Sequence, residues 1–121
     1  MKQIPIKTNK DKFFRQFLEL IRSIPPVSKL RPKELDVLAE IMRQNDKYSD
    51  LDSNVKQKMV FDTSTRKEMM LNVGITADSF NNNLSILRKH NLLSKENKLA
   101  PFLSNVLYKD GYKLEFIFKE M

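Results

Sequence analysis

Residues 66–93 read RKEMMLNVGITADSFNNNLSILRKHNLL, and this stretch decides the fold. Met69, Met70 and Val73 are the apolar positions of a segment that runs up to Gly74. Beyond Ile75 and Thr76, the residues Phe80, Leu84 and Leu87 recur at i, i+4 and i+7, the spacing of one helix face. Two helices are therefore expected, over 63–73 and 76–90. Gly74 belongs in the turn between them because it takes a left-handed conformation without a Cβ clash. Thr65 and Glu68 have the spacing of a capping box, Thr76 suits the cap of the second helix, and His90 suits that helix's C-terminal end.

Working outward, Phe13, Phe14, Phe17, Leu18 and Ile21 predict a first helix over about 11–24, stopped by Pro25 and Pro26. Arg31-Pro32 opens another, with Leu35, Leu38, Ile41 and Met42 facing inward. Residues 45–62 read as a polar connection with a short helical candidate near 53–59. The methionines at 42, 59, 69 and 70 read as core filler. On the C-terminal side the period changes. Residues 98–103 and 112–119 read as two strands, with Asp110-Gly111 as a turn signal, and Pro101 suits a sheet edge. The expected fold is mostly α with a small β-hairpin wing spanning about 98–119. Residues 1–30 form a basic arm and aromatic helix, and residues 31–121 form the domain.

Charge is divided unevenly. Residues 1–33 hold nine Lys/Arg against two acids, whereas the other 88 residues hold thirteen of each, so the net +7 sits on the N-terminal segment. That favours an acidic partner, with Lys2, Lys7, Lys10 and Lys12 tracking phosphates. The chain has no cysteine, one histidine (His90), and two glycines far apart, Gly74 and Gly111. Thiolate chemistry, a histidine-based metal cluster and a glycine-rich phosphate loop are thereby excluded. A non-enzyme with no metal or cofactor is expected. No apolar run approaches the ~20 residues of a membrane span, and MKQIPIKTNK lacks a secretory signal's apolar stretch. A cytoplasmic place is expected, in a bacterial cell or a phage-infected host, or in a virion.

The segment 66–93, with its glycine turn, capping threonine, polar residues interleaved with apolar anchors and closing Leu-Arg-Lys-x-x-Leu-Leu, resembles winged helix-turn-helix proteins. The resemblance covers about residues 31–121. One departure is the pair Met69 and Met70, where family members place alanine. The resemblance implies a DNA-binding protein, with the second helix of the pair reading the major groove.

On that helix Ser79, Asn81, Asn82 and Ser85 are candidates for base contact, and Arg88 and Lys89 for phosphate or guanine. Lys109 and Lys113 would sit on the wing. Asp78 suits the helix dipole but repels phosphate. The competing expectation is a structural or assembly protein, such as a phage virion component or complex subunit, that uses the fold for docking. The aromatic face of Phe13, Phe14 and Phe17 demands a partner surface, either the domain itself or, in this second expectation, a protein partner or a second copy.

Overall fold

Helix α2, Pro32–Lys47, is the element on which the others are built. Pro32 at its first position loses no hydrogen bond, and the Glu34 carboxylate accepts from the Arg31 backbone N–H at 2.9 Å. Its residues Leu35, Val37, Leu38, Ile41 and Met42 are all buried. The computed structural model describes residues 2–5, 10–108 and 113–116, with side chains described over 12–108.

Around α2 pack α1 (Lys10–Leu20), α3 (Ser53–Val60), α4 (Thr63–Val73), α5 (Ala77–Lys89) and the short α6 (Pro101–Ser104). Phe13, Phe14 and Leu18 of α1 lie in one apolar core with Met69 of α4, Phe80, Leu84 and Leu87 of α5, and Leu92, Leu93 and Leu103. The aromatic face is thus consumed within the chain. Phe13 and Phe14 are buried and meet edge to face at 4.9 Å, Tyr108 closes on Phe13 at 5.2 Å, and Phe17 is half-buried. Met42 and Met69 fill the core, but Met59 is exposed.

The helix pair falls where the spacing predicts it. Gly74 sits at φ 78° after α4, and the Thr76 hydroxyl caps α5 by accepting from the Ser79 N–H at 3.2 Å. The cap of α4 differs from the expected Thr65–Glu68 box. Asp62 is the N-cap, accepting from the Ser64 N–H at 3.3 Å and hydroxyl at 2.7 Å. Thr65 is buried one turn further on, and Glu68 turns to α2.

The Asp62 carboxyl is held below its ordinary range by the Ser64 side-chain and backbone hydrogen bonds. Its contribution is therefore present above the ordinary carboxylate pKa and fades as pH falls through the lowered value. Thermal melts should show a gap between wild type and Asp62→Ala that is full at neutral pH and closes in acid. A gap independent of pH would contradict the role.

Among the described residues no β-hairpin wing is formed. Pro101 starts helix α6 instead of lying in a strand, since its fixed φ and missing N–H suit a first helical turn. The turn is fastened by Leu103 in the core and by Asn45, whose Nδ2 donates to the Ser104 carbonyl at 3.0 Å. Strand β2, Lys113–Phe116, pairs antiparallel with β1, Lys2–Pro5, in the register Ile4↔Leu114. The partner of the C-terminal strand thus comes from the segment expected to be a basic arm. Lys7 and Lys109 lie outside the described residues, as do the Asp110-Gly111 turn and the Lys2, Lys10 and Lys113 side chains.

Between α2 and α4 lies a polar seam. Arg43 bridges Glu40 at 3.1 Å and Glu68 at 3.5 Å, and the Gln44 Nε2 donates to Glu68 at 3.2 Å. Gln44 is 0% exposed, and its Oε1 has no partner among the described residues. An unmet buried acceptor costs about 1–3 kcal/mol, comparable to what the bond to the carboxylate contributes. Gln44→Met, close in shape, should accordingly change the unfolding free energy by no more than about 1 kcal/mol. A larger loss in urea titration would show that the Glu68 bond dominates.

Candidate nucleic-acid interface

Helix α5 divides into two faces. Phe80, Asn83, Leu84 and Leu87 are buried, while Asp78, Asn81, Asn82, Ser85 and Lys89 are exposed. The buried Asn83 satisfies its amide within the helix, donating to the Ser79 carbonyl at 2.7 Å and its hydroxyl at 3.4 Å. Ser79 is half-buried and takes part in that bond. The Ser85 hydroxyl donates to the Asn81 carbonyl at 3.2 Å and accepts from Arg88 Nη2 at 3.2 Å. The side-chain amides of Asn81 and Asn82 make no hydrogen bond among the described residues. They stand in consecutive positions with donor and acceptor both free for a ligand.

Arg88 is more constrained than the sequence suggests. Its Nη1 donates to Asn97 Oδ1 at 2.6 Å, which holds the guanidinium against the loop that follows α5. In that loop Leu93 and Leu99 form a single antiparallel bridge. The turn is closed by the Ser94 N–H on the Lys98 carbonyl at 2.8 Å and by Asn97 at φ 62°. Asparagine is among the few side chains that tolerate this left-handed conformation. The loop leans on α3, with the Gln57 Nε2 donating to the Glu96 carbonyl at 2.7 Å and the Lys98 ammonium to Asn54 Oδ1 at 3.1 Å.

Folding adds Lys56 of α3 to cations that already lie close in sequence over 88–98. The loop between α5 and α6 carries Lys95 and Lys98, its Asn97 holds Arg88, and Lys56 of α3 lines the same crevice as Lys98. The acid among them is Glu96. Residues 34–121, which carry no net charge, thus hold a run of cations where α5 ends. Sequence reasoning missed Lys56, Lys95, Asn97 and Lys98. The signal for Asn97 was present in the Ser-Lys-Glu-Asn-Lys turn composition.

No protein family, curated protein or solved structure matches the chain. Among the described residues no cluster of three or more metal-ligating side chains occurs, and no helix is long and apolar enough to cross a membrane.

At the other end of α5 the surface changes character. Met70, Leu71, Gly74, Ile75, Thr76, Ser79 and Lys67 line a shallow recess, and Leu71 is 81% exposed. The edge near the turn is apolar, and the edge near the loop is cationic.

Proposed function

We propose that the chain is a non-catalytic, sequence-selective binder of double-stranded DNA, acting inside the cell in transcription or replication. Helix α5 enters the major groove, Asn81 and Asn82 address base edges, and Arg88, Lys89 and Lys95 lie against phosphates. The observation that carries this reading is the pair of uncommitted amides on the exposed face of a helix whose opposite face is locked in the core. Their neighbours are cations at the helix end. Asparagine pairs bidentately with adenine, which gives these positions something to recognise. Ser79 and Ser85, whose hydroxyls are engaged within the helix, support α5 in this reading. Lys2, Lys7, Lys10 and Lys12 add sequence-independent attraction.

Two substitutions separate the parts. Asn82→Ala should lower the preference for the best duplex over random duplex by about 1–3 kcal/mol, leaving affinity for random DNA unchanged. Replacing Lys2, Lys7, Lys10 and Lys12 with Gln should weaken both duplexes alike and flatten the salt dependence by about 0.9 logarithmic units per lost phosphate contact. Titrations of both duplexes at two salt concentrations distinguish these outcomes. Absence of duplex binding at low salt overturns the proposal.

A protein-docking role is the second reading, and exposed Leu71 in its apolar recess is the observation that favours it. Leu71→Asp would then abolish co-assembly while sparing duplex binding.

A further inference from the structure

At the C-terminal end of α5 two neutral oxygens hold the half-buried Arg88. Its Nη1 donates to Asn97 Oδ1 at 2.6 Å and its Nη2 to the Ser85 hydroxyl at 3.2 Å. Arg15 and Arg43 are held instead by carboxylates, Glu19 and Asp36 for the first and Glu40 and Glu68 for the second. Those partners offset the charge they orient. An amide and a hydroxyl orient Arg88 without neutralising it, and three of the five guanidinium N–H donors stay available to a ligand. Asn97 is itself fixed by its turn at φ 62°, in a loop that leans on α3 through Gln57 and Asn54. Ser85 and Arg88 follow Asn81 at i+4 and i+7, so the guanidinium is drawn onto the Asn81 side of the helix. It stands about 10 Å further along the axis.

We propose, resting on the reading that α5 faces DNA, that Asn97 is a positioning residue which sets Arg88 to receive a backbone phosphate before the duplex arrives. An unrestrained arginine loses its rotamer freedom when it meets a phosphate, and that loss subtracts from affinity. Asn97 and Ser85 impose the loss on folding instead. A phosphate suits the donors that remain, because parallel N–H groups of a guanidinium match two phosphate oxygens. Asn97 touches no DNA in this arrangement and acts only through Arg88.

The test is a double-mutant cycle on the full chain, read by titrating best and random duplexes at two salt concentrations. Asn97→Gly keeps the left-handed turn, which glycine adopts freely, and removes the acceptor. It should bind both duplexes about two- to tenfold more weakly, the range for immobilising one long side chain, with its salt dependence unchanged. Arg88→Ala should flatten the salt dependence by about 0.9 logarithmic units, and adding Asn97→Gly to it should change nothing further. In the free chain the Arg88 Nε–H should relax like ordered backbone in the wild type and become mobile in Asn97→Gly. Should that variant not fold, Ser85→Ala removes the other anchor at an exposed position where alanine favours the helix, and should weaken binding within the same range. Wild-type affinity in either variant, an equal loss from Asn97→Gly on the Arg88→Ala background, or an equally mobile Arg88 in both chains overturns the proposal while wild-type duplex binding stands. Absence of duplex binding by the wild type at low salt overturns the reading of α5 and this assignment together.

Discussion

Phe14→Ala should lower the free energy of unfolding by about 3–5 kcal/mol, the range for truncating a buried phenylalanine. The ring is 2% exposed and lies edge-on to Phe13 within the core that α1 shares with α2. Beside it Arg15 ties the same helix to α2 through Asp36 at 2.7 Å, so α1 is anchored by both apolar and polar contacts. Removing the ring leaves a cavity whose walls belong to two helices and cannot collapse without moving one of them. Urea denaturation should show a lower midpoint with an unchanged slope. A loss below about 0.5 kcal/mol, as for a surface substitution, would return the aromatic face to the role of a docking surface.

Leu84→Ala should cost about 2–5 kcal/mol. Leu84 is 3% exposed and lies between Phe80 and Leu87 on the buried side of α5. Its loss loosens the helix that presents Asn81 and Asn82, so the effect reaches the candidate interface through stability rather than contact. Denaturation showing less than about 1 kcal/mol would place this face in solvent and reverse the orientation of the helix.

The helices were legible because their apolar residues recur with period 3.6 and their ends carry local punctuation. Gly74, Thr76 and Pro32 act within a few residues of where they stand, so the sequence alone places them. The hairpin was not legible, for the opposite reason. An alternating run such as Tyr112 to Lys119 announces a strand but not its partner, and here the partner is Lys2–Pro5, more than a hundred residues away. Pro101 fits both a sheet edge and a first helical turn. The choice was settled by tertiary contacts, with Leu103 entering the core and Asn45 holding Ser104.

The candidate site was legible to the same degree. The exposed face of α5 follows from its buried face, which places Asn81, Asn82, Ser85 and Lys89 correctly on the outside. Which of them are free does not follow from spacing. Ser85 and Arg88 are drawn into one network ending at Asn97, and that network depends on a loop folding back. Lys56 and Lys98 are 42 positions apart in sequence and line one crevice only because the loop packs on α3, where Lys98 donates to Asn54.

Helix α5 is proposed to meet DNA with its Asn81 and Asn82 face. The most direct measurement is the backbone amide spectrum of the labelled chain titrated with a duplex of about 20 base pairs at moderate salt, low enough for phosphate contacts to hold. The largest shifts are expected at the exposed positions from Asp78 to Lys89 and in the 94–98 loop, with smaller ones in the basic segment before Phe13. Shifts confined to that basic segment, with α5 unmoved at saturation, would contradict it.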